Sequence, residues 1–555
     1  MTSSKENYYW LNDASQQFLE RGYLIDGQTA QERIREIAEH AESLLWIEGY
    51  AEKFEEYVAR GYFSLATPVR TNYANDRGLP ISCFGSYIED DMASILYTEA
   101  EVGMMSKYGG GTSAYFGELR PRWSDIRGNG QSSGSVHFME LFDKVTSVVS
   151  QWGTRRWVVT PYLPLEHGDI KEFLRIGTEG HPIQSMTYAV SVGDEWMQEM
   201  LDGDLDKRKI RGEVLKARTE VGYPYIFFRD TVNRMKPEVY KDLEIYHSNL
   251  CSEITLPNNA DESFVCCLSH INLDRRDELK DTDAVEVMTF FLDTVMEDFI
   301  QKLESETEEL KKLFMRRALR FAKRHRALGL GVIGRHSYLQ SHMIAFDSDE
   351  AAQHNEEIFK TISERALQAS KDLADKFGEV EMTQGTGRRN TTLMAIAPTT
   401  SSAFISWQTS QGIEPLWSNY FIKDTAKLKY TFKNPRLEEQ LELLGLNTSE
   451  TRDSIKEYDG SVQHLDIPQE IKAVFRTFDE VSQYAIIDQA ATRQRYIDQS
   501  QSLNVLLPGN ITPKEINQLH IHAWQQGVKT LYYQHSLNAA QQAKRDMVRC
   551  EWCES

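Results

Sequence analysis

The stretch TTLMAIAP, Thr391 to Pro398, is a short apolar run that stops at a proline and gives way to the hydroxyl-rich turn TTSS, Thr399 to Ser402, and then AFISW. Such a run bounded by turn residues reads as a buried strand feeding a helix. YPYIFF (Tyr223 to Phe228) and LGLGVIG (Leu328 to Gly334) have the same character. Between these runs lie segments of helical period, such as Ala284 to Leu303 and Glu350 to Lys376. Alternation of this kind predicts an α/β architecture with buried strands. Ahead of it, from Ser15 to about Arg60, Phe18, Leu19, Ile34, Ile37, Ala38, Leu44 and Leu45 recur at helical spacing among charges. The expected organisation is a helical region over 1–65 and an α/β unit over 66–540, with a smaller subdomain inserted at about 423–463. A mobile tail over 541–555 completes it.

Lys and Arg number 62 and Asp and Glu 83 in 555 residues, a net charge of −21. That excess argues against nucleic-acid or anionic-membrane partners, which need clustered cations. A small nucleotide remains compatible, because a few amides and hydroxyls can hold its phosphate. The sequence has no apolar window of spanning length, and MTSSKENYYW lacks an export pattern, so a cytoplasmic protein is expected. Six cysteines are too few for a disulfide scaffold, so each is a candidate for chemistry or a small packed hydrophobe.

In NLCSEI, Asn249 to Ile254, an amide, a thiol and a carboxylate alternate. If the segment is extended, Asn249, Cys251 and Glu253 share one face. A packed thiol beside a capping Asn is the ordinary alternative. VCCLSHINL follows, and alternation sends Cys266 and Cys267 to opposite faces, so at most one of them shares a pocket with Cys251. Cys83 stands far upstream in ISCF. Cys550 and Cys553 form a C-x-x-C near the C-terminus with no second ligand pair for zinc, a pattern better suited to thiol–disulfide exchange. Thr399 to Ser402 offers hydroxyls and amides for an anion, with ordinary capping as the alternative. KYGGG (Lys107 to Gly111) and IRGNGQSSGS (Ile126 to Ser135) are loops that let backbone approach a ligand. Tyr532 and Tyr533 in KTLYYQ are adjacent phenols of the kind usually found in cores.

Taken in order, ISCF, NLCSEI, C-x-L-S, RRNTTLMAIAPTTSS, GIEP (Gly412 to Pro415), YIDQSQSLN (Tyr496 to Asn504), KTLYYQ and the terminal C-x-x-C resemble the catalytic large subunit of class I ribonucleotide reductase. The resemblance runs from about Ala66 to the C-terminus. It implies a ten-stranded α/β barrel with a reactive cysteine on a central finger loop, and reduction of ribonucleoside diphosphates to 2′-deoxyribonucleotides for DNA synthesis. On that resemblance Cys251 is the thiyl cysteine, with Asn249 and Glu253 its substrate and acid–base neighbours. Cys83 and Cys266 are the reducing pair, Cys550 and Cys553 the pair that restores it, and Cys267 packs. Tyr532 and Tyr533 relay a radical from a separate small subunit that carries the metal cofactor. Thr399, Thr400, Ser401 and Ser402 hold the substrate phosphates, with Thr67 and Ser82 as further substrate contacts. The chain itself is expected to hold no metal and no tight cofactor.

The resemblance further implies a homodimer, reduction by thioredoxin or glutaredoxin, and a nucleoside-triphosphate effector, dNTP or ATP, with Mg2+. Asp90, Arg120 and Arg127 match effector contacts, with Lys107 a weaker one and exposed surface charge the alternative for all four. The loop SQWGTRRW, Ser150 to Trp157, departs from the family pattern at Trp152 and Trp157, although Arg155 and Arg156 remain able to meet a phosphate. Because helix begins by Ser15, no separate dATP-sensing domain is expected, and dATP is not expected to inhibit through this chain alone. The rivals are an adenosylcobalamin-dependent reductase, against which the tyrosine pair speaks, a glycyl-radical relative, and a nucleotide-binding paralogue without catalysis.

Overall fold

In the computed structural model, which describes residues 8–25, 27–81, 83–149, 159–406, 409–424, 429–507 and 511–536, the apolar runs line up as a mixed sheet curled into a barrel wall. Strand β1 (Phe63–Leu65) precedes five parallel strands: β2 (Cys83–Tyr87), β3 (Gly111–Tyr115), β4 (Val159–Pro164), β5 (Ala189–Val192) and β6 (Tyr225–Phe228). The second half begins with β7 (Phe264–Asn272), antiparallel to β2, and continues with β8 (Leu328–Ile333), parallel to β7. Nearly every residue of these strands is buried. That is the signature of a sheet covered on both faces and the reason the runs carry no polar alternation.

TTLMAIAP completes the wall without forming a regular strand. Met394 bridges to Leu330 and Ile396 to Gln501, both in parallel sense. Its amides alternate between neighbours, Ala395 donating to Leu330 O at 3.3 Å and Ile396 to Ser500 O at 3.0 Å. Pro398 cannot donate, which ends the ladder. A two-stranded excursion of β9 (Tyr420–Asp424) and β10 (Lys429–Lys433) follows. Further on, β11 (Val505–Leu507) runs parallel to β13 (Gln534–Ser536), and β12 (Thr530–Leu531) pairs antiparallel with β6. Tyr532 N–H to Leu503 O at 2.9 Å and Val505 N–H to Tyr533 O at 3.1 Å close the ring. The segments around Met394–Ile396 and Ser500–Leu503 add two members to the sheet strands β2 to β8 and β12, so ten strands in two antiparallel halves surround the centre.

Helices cover the outside, among them Ala284–Ser305, Glu309–His325 and Asp349–Phe377. At the N-terminal side are Asp13–Glu20, Ala30–Leu45 (opened by a capping box between Thr29 and Glu32) and Tyr50–Ala59. These dock on the outer helices, with the Phe54 and Phe291 rings 4.5 Å apart and Tyr50 Oη donating to Val287 O at 2.7 Å. Around the excursion, Leu437, Leu441, Ile455, Val462, Ile471 and Phe475 belong to a separate small core that reaches past Gln463. No described helix is long and apolar enough to cross a membrane.

Candidate active site

Inside the ring, residues 247–258 cross the barrel and spend their polar groups on its walls. Tyr162 on β4 donates to Asn249 O at 2.9 Å, and Ser502 Oγ to Cys251 O at 2.5 Å. Thr530 Oγ1 donates to Ser252 O at 2.9 Å, Ser500 N–H to Glu253 O at 2.8 Å, and Asn258 Nδ2 to Gly85 O at 3.2 Å. A buried loop survives only when its backbone is satisfied in this way. NLCSEI is therefore a turn rather than the extended segment that its alternation suggested. Ser252 is at φ +68°, in the left-handed region, and the Ser252 N–H is 3.4 Å from Asn249 O. The turn still brings the side chains of Asn249 and Glu253 to one place, at the sulfur of Cys83.

Cys83 and Cys266 are directly opposite each other in the β2–β7 register. Cross-strand partners have Cα atoms about 4.5–5.5 Å apart, within the span of a disulfide. The turn reaches this pair from one side: Asn249 Nδ2 is 3.5 Å from Cys83 Sγ, and Cys83 Sγ is 3.9 Å from Glu253 Oε1. Gln499 reaches it from the other, with Nε2 3.3 Å from Cys266 Sγ. Gly329 on β8 leaves room there, since a Cβ would come within 3.1 Å of that sulfur. Cys267 points outward, its thiol donating to Leu292 O at 3.3 Å, so the expected division of the two neighbours between faces is observed.

Burial pushes the Glu253 carboxyl up from 4.5 to about 7, against hydrogen bonds from Ser502 (Oγ to Oε2, 3.2 Å) and Cys83. Burial likewise drives the Cys266 thiol well above its usual range and holds His247 neutral, down to about 4. The site thus contains a carboxyl poised near neutrality beside the Cys83 thiol and a Cys266 thiol that burial keeps protonated. That arrangement can take up one proton and deliver another without bulk water.

Cys251 packs against an aromatic cluster that includes Tyr115, Tyr162, Tyr225, Phe227 and Tyr532. Tyr532 and Tyr533 have ring centroids 4.4 Å apart, and Tyr225 on β6 stands 4.6 Å and 5.0 Å from them. Burial raises the phenol of Tyr225 well above its ordinary value. The tyrosine pair and the turn cysteine therefore belong to one packed unit, with no solvent gap required between them.

At the other sheet end, Thr399 precedes the short helix Thr400–Ile405. Its hydroxyl accepts from Gly412 N–H at 2.8 Å instead of capping the helix, which brings GIEP against the turn. Thr400 Oγ1 donates to Gln411 at 3.0 Å, and Ser401 and Ser402 are buried. The β1 segment lies alongside, with Ser64 Oγ 3.3 Å from Ser402 O, and carries Thr67, whose hydroxyl is 3.2 Å from Tyr23 Oη. Asp90 and Arg120 form an ion pair at 2.6 Å, and Arg120 also reaches Asp125 O at the base of the hairpin that carries Arg127. Lys107 ends the 16-residue helix Met92–Lys107 that starts beside Asp90. It is therefore about 22 Å away along the axis, too far to share an anion with that corner. Ser82, the loop 150–157 with Trp152, Arg155, Arg156 and Trp157, and the tail cysteines Cys550 and Cys553 lie outside the described residues.

Gln499, Ser502, Tyr162 and Tyr225 escaped the sequence reading. The first two sit inside the quoted motif YIDQSQSLN, where adjacent polar residues next to an apolar run were the available signal.

The site is thus a ring of two antiparallel halves, each of parallel strands, with a cysteine-bearing turn threaded through it and a cross-strand thiol pair beside the turn. The family model described as "Ribonucleotide reductase, barrel domain" matches residues 81–207, 203–386 and 380–534. The chain is 53% identical to the Actinobacillus ureae class Id ribonucleotide reductase alpha subunit, with a TM-score of 0.91 over 97% of this chain and 100% of that one. It is 35% identical over 506 residues to the putative ribonucleoside-diphosphate reductase large subunit of Frog virus 3 (isolate Goorha), covering 87% of each. It is 28% identical to the ribonucleoside-diphosphate reductase large subunit of Arabidopsis thaliana, over 88% of this chain and 71% of that protein. The chain belongs to the ribonucleotide reductase large-subunit family, a family of oxidoreductases.

Proposed function

We propose that the chain is the catalytic subunit of a class I ribonucleoside-diphosphate reductase and that Cys251 is its radical residue. The observation that carries this is the convergence of Asn249 and Glu253, from the Cys251 turn, on the cross-strand pair Cys83–Cys266. Displacing a 2′-hydroxyl requires breaking an unactivated C–O bond. A thiyl at Cys251 takes the 3′-hydrogen atom, becoming a thiol and leaving a carbon radical next to the leaving group. Glu253 accepts the 3′-hydroxyl proton, and a thiol of the Cys83/Cys266 pair protonates the departing hydroxide as water. The other thiol of the pair gives a hydrogen atom to C2′, and the two sulfurs join with one surplus electron. That electron and the proton held by Glu253 pass to the 3′-carbonyl, leaving a disulfide and a C3′ radical to which Cys251 returns its hydrogen.

Tyr532 and Tyr533 deliver the oxidising equivalent from a small subunit whose metal cofactor generates it. The packing of both rings around Tyr225, in the aromatic cluster against which Cys251 also packs, supports that route. Thr399 to Ser402 hold the substrate phosphates, with Thr67 and Ser82 as further contacts. Asp90, Arg120 and Arg127 bind a nucleoside-triphosphate effector with Mg2+ in a homodimer. CDP should be reduced to dCDP only when the small subunit is present. Turnover by the isolated chain with added adenosylcobalamin would refute the class.

Cys550 and Cys553 pass electrons from thioredoxin or glutaredoxin to the buried pair. Replacing both by Ser should stop turnover with a thioredoxin system while a small dithiol sustains part of it. Equal loss with both reductants would remove the shuttle role.

A further inference from the structure

Gln499 has no assigned task, yet it is completely buried beside Cys266 and both polar atoms of its side chain are engaged. Its Oε1 accepts from Thr255 N–H at 3.1 Å, on the exit of the cysteine turn. Its Nε2 faces three acceptors: Leu328 O at 2.9 Å, Thr392 Oγ1 at 3.1 Å and Cys266 Sγ at 3.3 Å. Two N–H groups cannot serve three acceptors fully, and a thiol sulfur is the weakest of the three. A thiolate is not, so the amide can shift toward Cys266 when that sulfur carries charge. The backbone under Gln499 is clamped: Lys529 Nζ, itself buried, donates to Asp498 O at 2.6 Å and Gln499 O at 2.8 Å. Thr392 is fixed in turn by its bond to Leu328 O at 3.0 Å.

The two sulfurs differ in what surrounds them. Burial pushes the Cys266 thiol up and the nearby Glu253 adds to that rise, so the Gln499 amide at 3.3 Å is the contact that works against it and lets this sulfur carry charge. Cys83 faces the Glu253 carboxyl at 3.9 Å, and the Asn249 amide is farther from it, at 3.5 Å. Cys83 is also the more accessible, at 7% against 0% for Cys266. We infer that Gln499 is a positioning residue that makes Cys266 the leaving sulfur whenever the Cys83–Cys266 disulfide is reduced, so that the incoming thiol bonds to Cys83. The incoming thiolate forms a new S–S bond to Cys83 Sγ as the old bond breaks, and the electron pair leaves on Cys266 Sγ. A second thiol then releases Cys83, so two thiols are oxidised to one disulfide and the buried pair regains two electrons and two protons. Exchange is fastest when the leaving thiolate is the better stabilised one.

This inference rests on the proposed redox role of the pair. The test uses the full chain carrying Cys550→Ser and Cys553→Ser, oxidised by one turnover, with remaining free thiols blocked. Exposure to glutathione, acid quench and isotopically distinct alkylation then show by mass spectrometry which cysteine bears glutathione and which is newly alkylated. The expected result is glutathione on Cys83 and alkylation on Cys266. In Gln499→Met, which keeps the volume and loses the donors, exchange should slow by roughly tenfold, the weight of one buried hydrogen bond. The adducts should also spread over both cysteines. Glutathione on Cys266 in the unaltered site overturns the inference without recourse to any variant, as does a Gln499→Met protein with unchanged rate and distribution. Failure of one turnover to form the disulfide at all would instead strike the proposed function.

Discussion

Cys251→Ser should reduce deoxynucleotide formation to background while leaving the protein folded. An alcohol O–H bond is stronger than a thiol S–H bond, so an oxidised phenol at Tyr532 cannot generate an oxygen radical at position 251, and no 3′-hydrogen leaves. The substitution is nearly isosteric and the side chain is only partly buried. The turn is held by its carbonyls, through Ser502 and Thr530, and these bonds do not involve the sulfur. A destabilisation of about 1 kcal/mol, the ordinary size for a point substitution, is therefore expected, too little to unfold the chain. The measurement pairs CDP reduction with thermal unfolding. Substantial turnover by a folded Cys251→Ser protein would show that the radical forms elsewhere, and the reading of the barrel centre would fall with it.

The features that were legible in the sequence are those carried by local pattern. Apolar runs without alternation gave strands buried on both faces, and β6 and β8 lie within YPYIFF and LGLGVIG. Helical periods gave helices that end within two residues of the expected limits, at Ser305 and Phe377. The alternation in NLCSEI suggested an extended segment, and the segment is a turn instead. Nothing within the hexapeptide says that Ser502 and Thr530, more than 200 residues on, will take up its carbonyls and allow a turn with φ +68° at Ser252. TTLMAIAP misled in the opposite sense, reading as a strand but making only bridges, because its neighbours accept from alternate amides. Gln499 and Tyr225 acquire meaning only from what the ring places beside them. Lys107 was a weaker candidate for the effector phosphates on the resemblance, and the helix Met92–Lys107 separates it from Asp90.

Glu253→Gln should lower kcat by about two to four orders of magnitude, the usual worth of a positioned general base, with little change in KM. The unmodified enzyme should show an activity limb that rises with pH through about 7, where the carboxylate able to accept the 3′-hydroxyl proton forms. The residual activity of the variant should lack that limb. Stability should move the other way, because burial raises this carboxyl in the folded chain above its unfolded value of 4.5. Both states are protonated below pH 4.5, and nothing is lost there. As pH rises through the folded value, the native chain must give up a proton that the unfolded chain has already lost, and stability falls. A raise from 4.5 to about 7 corresponds to on the order of 3 kcal/mol above neutrality. The amide introduced by Glu253→Gln cannot ionise, so the variant should be more stable than the parent at pH 8 by an amount of that order and equal to it near pH 4.5, as denaturant unfolding at the two values would record. A carboxyl retained only for structure would lose stability on removal at pH 8. A gain in stability coupled to a loss of turnover is what a group kept for chemistry gives.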